Sequence, residues 1–144
     1  MSALTDLFEN DLVDLIFNGT AISNIADNAA TSPLTDLYIS LHTADPGESG
    51  DQTTNEIAYT NYARLAVART SSGWTVTDNE AALTSAIEFA AGVSGDTGTI
   101  THFGIGTDAT GTGRLLARAT ATPNVVMGDG VVPRLGTDTK FTFD

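Results

Sequence analysis

Hydrophobic positions follow two different periods along the chain. From Ser2 to Phe17, Leu4, Leu7, Phe8, Leu12, Leu15 and Ile16 recur at spacings of three and four, the pattern of one helix face. Ser2 or Thr5 is placed to cap this helix, and Asp6 and Glu9 sit early, where the helix dipole favours negative charge. Asn18-Gly19 supplies the stop, since glycine accepts the left-handed conformation that ends many helices. Val13 and Phe17 widen the apolar surface beyond one stripe, so the second half is expected either to be touched from two sides, by its own β body and by another subunit, or to fold wholly onto its own domain. Leu7, Phe8, Leu12, Ile16 and Phe17 are the interface candidates. Residues 1–19 are therefore expected to form a helical assembly arm. Residues 20–33, small and polar and ended by Pro33, form a connector, and residues 34–144 form the β domain.

After Pro33 the period becomes two. Leu37, Ile39 and Leu41 alternate with Tyr38, Ser40 and His42 in the clearest strand, Leu34–Thr43. A long acidic loop follows, Ala44–Glu56, broken by Pro46, Gly47 and Gly50. Tyr59–Thr70 reads as a second strand region, and Ser71-Ser72-Gly73 turns into a short strand at Trp74–Thr77. Asp78–Ala82 reads as a turn or brief helix, and Ser85–Ala91 as a strand before the Gly92–Gly98 loop. The strongest hairpin signal is Thr99–Thr107, loop Asp108–Gly113, return Arg114–Thr122, with turn-forming Asp, Thr and Gly between β-rich flanks. Asn124–Met127, Val131–Leu135 and Thr139–Phe143 close the chain as further short strands. The expected fold is mainly β, an antiparallel β-sandwich or jelly-roll-like body with one N-terminal amphipathic helix.

Charge narrows the partners. The chain carries 18 Asp and Glu against 6 Lys and Arg, a net charge of −12, and no Lys or Arg precedes Arg64. Such a surface repels phosphate backbones, so nucleic acid is not an expected partner. No run of about eighteen apolar residues occurs, so no membrane span is expected. With no cysteine there is no thiolate metal site or disulfide framework.

No catalytic motif stands out. Gly92-Val93-Ser94-Gly95-Asp96 lacks the last glycine of a nucleophile elbow, and Gly104-Ile105-Gly106 and Gly111-Thr112-Gly113 lack the third glycine of a phosphate-binding loop. His42 and His102 lie in expected strands with no second ligand at metal spacing. Asp45, Glu48 and Asp51 come every third residue in a glycine-containing loop, a set of oxygens that suits Ca²⁺ but not the spacing of an EF-hand. Trp74, Tyr59 and Tyr62 offer rings on which a sugar could stack, the basis of a carbohydrate-binding alternative. No catalytic, cofactor-binding or metal-ligating residue is assigned, and the chain is read as a non-enzyme.

Several segments together resemble a known family. They are Glu9–Asp14 with Phe17–Ala21, Leu37–Gly47 with its Leu-His-Thr-Ala-Asp-Pro-Gly run, Asn55–Ile57, Tyr62–Val67, Ala86–Phe89, Thr99–Gly106 with Thr-His-Phe-Gly-Ile, and Gly113–Ala117. This order resembles small virion structural proteins of tailed bacteriophages, labelled as tail-fibre or head-decoration proteins. The resemblance implies a structural part of a virus particle, assembled in the host cytoplasm, with no enzyme residues. The specific expectation is a capsid decoration or cement protein, bound to the major capsid protein and to copies of itself, a trimer being favoured. A tail, adaptor or fibre component, with the loops Ala44–Glu56 and Asp108–Gly113 as its contacts, is the alternative.

Overall fold

The N-terminal period of three and four folds as the helix α1 (Asp6–Asn18). The computed structural model describes residues 5–22, 25–26, 29 and 32–143, so Ser2 and Leu4 of the expected helix lie outside the described residues. So do residues 23, 24, 27, 28, 30 and 31 of the connector. Thr5 holds the N-cap position in extended backbone, but its side chain makes no capping bond. Gly19 ends the helix as expected, at φ 68°, with its N–H on the Asp14 carbonyl.

Among the described residues nine strands follow: β1 (Asp36–His42), β2 (Leu65–Ala68), β3 (Trp74–Thr77), β4 (Glu80–Leu83), β5 (Ile87–Glu88), β6 (Thr99–Gly106), β7 (Leu115–Val126), β8 (Arg134–Leu135) and β9 (Lys140–Thr142). They form a four-stranded sheet in the order β2-β1-β6-β7, a three-stranded sheet β3-β4-β9 and a pair β5-β8. The pairings β1–β6, β6–β7, β3–β4, β4–β9 and β5–β8 are antiparallel. The chain is thus mainly β with antiparallel sheets and one N-terminal helix.

Contacts divide the chain into two compact units. The first comprises Met1–Asp36, Val67–Ala86 and Gly136–Asp144. Here α1 packs on β3 and β4. Phe17, fully buried, meets the Trp74 ring edge-on at 4.8 Å and Phe143 at 5.5 Å, and Trp74 meets Phe141 at 6.4 Å. Arg69 fixes the helix end: its Nε and Nη2 donate to the carbonyls of Ile16 and Leu15, both at 2.6 Å. A cation on the last carbonyls satisfies groups with no intrahelical partner and offsets the negative end of the dipole.

Two expectations change in this unit. Phe17 is part of the unit's own core and is not available to a partner, because Trp74 and Phe143 enclose it. The stretch Asp78–Ala82 is neither helix nor simple turn. Asp78 takes φ 53° in a tight reversal and the chain returns as β4, with Ala81 and Leu83 buried. The alanines there have low β propensity, which hides a strand whose inward face is set by packing.

The second unit comprises Leu37–Ala66 and Ile87–Leu135. The β6–β7 hairpin forms where the turn chemistry places it, with Ile105 opposite Ala117 and Thr107 N–H on the Arg114 carbonyl. β7 also absorbs the strand expected at Asn124–Met127, after a register irregularity opposite Thr101. The strand expected over Tyr59–Thr70 shrinks to β2. Its first part is a turn, with Asn61 at φ 66° and the Tyr62 N–H on the Tyr59 carbonyl.

Candidate functional site

β1 and β6 place His42 directly opposite His102, Ser40 opposite Gly104 and Tyr38 opposite Gly106. Glycine on this face leaves room. A Cβ on Gly104 would lie 3.1 Å from His42 Nε2 and 3.2 Å from Ser40 Oγ. His42 Nδ1 lies 2.9 Å from the Thr54 carbonyl, which can only accept, so this nitrogen carries the proton. Nε2 then accepts from Ser40 Oγ at 2.8 Å. Burial holds the His42 pKa below its ordinary value, which fits a neutral ring with both nitrogens engaged. A hydroxyl against an imidazole has the outline of a nucleophile and its base. Here both side chains are fully buried, and the Nδ1 bond of His42 to the Thr54 carbonyl ties the acidic loop to the sheet.

That loop is tied a second time. The Arg64 guanidinium grips Glu56 with two bonds of 2.7 Å, Nε to Oε1 and Nη2 to Oε2, and the two side chains are only 3% and 16% exposed. Tyr62 donates to Glu56 Oε1 at 2.8 Å and accepts the Leu41 N–H at 3.0 Å. Burial, with Glu56 close by, drives the Tyr62 pKa far up, so this phenol stays protonated. Hydrogen bonding to Glu56 raises the pKa of Arg64. Two further guanidinium N–H groups reach the hairpin loop: Nη1 to the Asp108 carbonyl at 2.9 Å and Nη2 to the Gly111 carbonyl at 2.8 Å.

Gln52 makes the third tie. Its backbone N–H donates to the Gly113 carbonyl at 3.0 Å, and its Oε1 accepts the Asp108 N–H at 2.9 Å. The side chain lies fully buried in a slot that any Cβ would fill: on Gly106 it would be 2.1 Å from Gln52 Cδ, on Gly113 2.0 Å from Oε1. The loops Ala44–Glu56 and Asp108–Gly113, 56 residues apart at this bond, are therefore one connected surface. Residues 108–112 are exposed along it, as are Ser49 and Thr53.

The three loop carboxylates serve structural ends. Asp45 Oδ1 accepts the Gly47 N–H at 2.8 Å and pairs with Arg118 Nε at 2.9 Å, and these hold its pKa below the usual carboxylate range. Glu48 pairs with Arg118 Nη2 at 2.6 Å. Asp51 Oδ1 accepts both the N–H and the hydroxyl of Thr53, at 2.8 and 2.6 Å, which lower its pKa. Among the described residues no group of three or more His, Cys, Asp or Glu side chains is arranged around a metal position. The acidic loop meets the start of β7 across a shallow groove of about 110 Å³ that includes Glu48 and Arg118.

The rings proposed for sugar stacking are not a platform. Trp74 is fully buried in the first unit. Tyr59 is buried in the second, with its hydroxyl on the Ala90 carbonyl, and Tyr62 lies against Phe89 and Tyr59. In sequence His42 stood out as a possible metal ligand and Tyr62 as a possible sugar-stacking ring, Glu56 and Arg64 belonged to the phage resemblance without a role, and Gln52 and Arg118 were not singled out. One signal for Gln52 was available, the small residues Gly106 and Gly113, since a buried amide needs a slot. Nothing local marks Arg118.

Residues 3–137 match the model of a family described as podophage GP4 fiber I protein gp80. The chain belongs to this family. It is a phage virion structural protein of a fibre-type family, and its place is the virus particle. No curated protein matches it. Of the segments on which the phage resemblance rests, those in the second unit supply the His42, Glu56–Tyr62–Arg64 and glycine elements just described, so in this fiber I gp80 member they build the support of the two loops.

Proposed function

We propose that the chain is a component of the phage tail-fibre apparatus, non-enzymatic, and that the joined loops Ala44–Glu56 and Asp108–Gly113 are its recognition face toward the host surface. The observation that carries this reading is the cross-tying of two exposed loops by Arg64 and Gln52. Loops held rigidly by a scaffold present a fixed shape, and preorganisation lowers the ordering cost of binding. The family's fibre description supports the same reading.

The test is a virion carrying Ala109→Trp and Thr110→Trp, both at exposed positions of the loop. The expected result is slower adsorption to host cells with the copy number per particle unchanged. Gel densitometry of purified virions is expected to give few copies per particle, since a fibre is built as a small closed symmetric assembly. Unchanged adsorption overturns the recognition face. A count in the hundreds moves the chain to the head, the capsid decoration reading, which the part-exposed apolar helix α1 supports.

A further inference from the structure

The apolar residues of α1 do not all face one way. At about 100° per residue, Leu7 and Leu15 lie on one row with Asp11 between them, and Phe8 and Leu12 lie on the next row. These rows point roughly opposite to Val13 and Phe17, the two positions the helix buries in its own unit. Leu7 is 74% exposed, and Phe8, Leu12 and Leu15 remain part-exposed where Val13 and Phe17 are closed off. The helix therefore has an inner apolar side that is used and an outer apolar side with solvent access. The outer side is also acidic: Asp11 lies within it and Asp14 along its margin. α1 contains four acidic residues and no basic one, and the chain has no Lys or Arg before Arg64.

We infer that the outer face of α1, centred on Leu7, Phe8, Leu12 and Leu15, docks into an apolar groove rimmed by Lys or Arg on a different virion protein. This rests on the virion assignment and is independent of the role of the loops. A helix laid in a groove through residues at these spacings is a common recognition mode. Electrostatics choose the occupant. A second copy would bring another acidic helix, on a chain of net charge −12, against the first, and like charges at an interface oppose association. A basic rim reverses the sign of that interaction while the same apolar side chains are covered.

Purified virions provide the test. A zero-length carbodiimide, which joins carboxylates to lysines in contact, is expected to link Asp11 or Asp14 to a lysine of another virion protein. The double variant Phe8→Ser, Leu12→Ser, supplied in trans to a phage lacking the gene, is expected to lose that link and to fall about tenfold or more in copies per particle. Near-ultraviolet dichroism of Trp74, which packs on Phe17, confirms that the inner side is intact. Asp11→Lys leaves every apolar side chain in place and is expected to lower incorporation as well. Incorporation of either folded variant at the wild-type level overturns the inference. So does a purified chain whose oligomer is dispersed by Phe8→Ser, Leu12→Ser and tightened by Asp11→Lys, since the occupant is then a second copy. The adsorption and copy-number test of the loops reads the wild-type α1 and fails or succeeds separately.

Discussion

Replacing Arg64 by Met tests the support of the loops directly. Met matches the length of the arginine stem and has no donors, so the variant removes two bonds to Glu56 and the bonds to the Asp108 and Gly111 carbonyls. Glu56 keeps the Tyr62 hydroxyl but loses its ion pair with Arg64, at a position with little water. Breaking a buried pair from one side costs about 3–5 kcal/mol, because a charge is left uncompensated. Against a total stability of about 5–15 kcal/mol this is a large fraction, and it corresponds to a fall in Tm of roughly 10–17 °C for a chain of this size. Urea unfolding gives the stability, and hydrogen exchange of the amides in 107–113 gives the local effect. The double variant Arg64→Met, Glu56→Gln is expected to recover part of the loss, since the carboxylate is then neutral. Arg64→Lys should fall between, because an ammonium cannot grip Glu56 with a planar fork and reach both carbonyls. A cost for Arg64→Met below about 1 kcal/mol, with exchange in 107–113 unchanged, would refute the reasoning, since that is the range of an exposed ion pair.

Three other outcomes follow from the geometry. Arg69→Leu removes the donors at the end of α1 and is expected to cost about 2–3 kcal/mol, with faster exchange in the last turn of the helix, read by mass spectrometry. Gly106→Ala drives a methyl into the Gln52 amide and is expected to cost about 1–3 kcal/mol; Gln52→Ala in the same chain should return part of it, which urea unfolding of the pair will show. The His42 pKa lies below the ordinary 6.5 because of burial, so the unfolded chain takes up this proton first as pH falls. The contribution of neutral His42 is therefore fully present above about pH 6.5 and is lost as pH drops toward the folded value, and His42→Gln should flatten the stability profile below about pH 6.5.

Local chemistry made some of this fold legible. The α1 stop at Asn18-Gly19, the alternation of β1 and the β6–β7 hairpin each rest on neighbours in sequence, and each appears where its residues place it. What sequence could not give depends on residues far apart. The helix was read as having apolar surface on two sides, but the distant rings of Trp74 and Phe143 decide that Phe17 turns inward, while Leu7 stays exposed and Phe8 part-exposed. The two loops were named separately as contacts, and their union comes from an arginine 44 residues from one partner and a glutamine 56 residues from another. The acidic run Asp45, Glu48, Asp51 matched a cation loop in composition alone. Its carboxylates instead turn to Gly47, Arg118 and Thr53, and no spacing rule distinguishes those uses.

The ties also decide which loop positions are free to vary. Arg64 and Gln52 hold residues 108, 111 and 113 through backbone carbonyls and an N–H, without using the side chains of Ala109, Thr110 or Thr112. Those three side chains are exposed, so replacing them leaves every tie in place and is expected to change stability by less than about 0.5 kcal/mol. Ala109→Trp with Thr110→Trp should therefore unfold in urea at the same midpoint as the wild type while altering the outer shape of the joined loops. A destabilisation above about 1 kcal/mol in that variant would mean that the tips carry structural weight of their own. A changed adsorption rate could then no longer be assigned to recognition. If the midpoint holds, scaffold and contact surface are separable in this chain: buried side chains fix the path of the backbone, and exposed ones are left to determine what the surface meets.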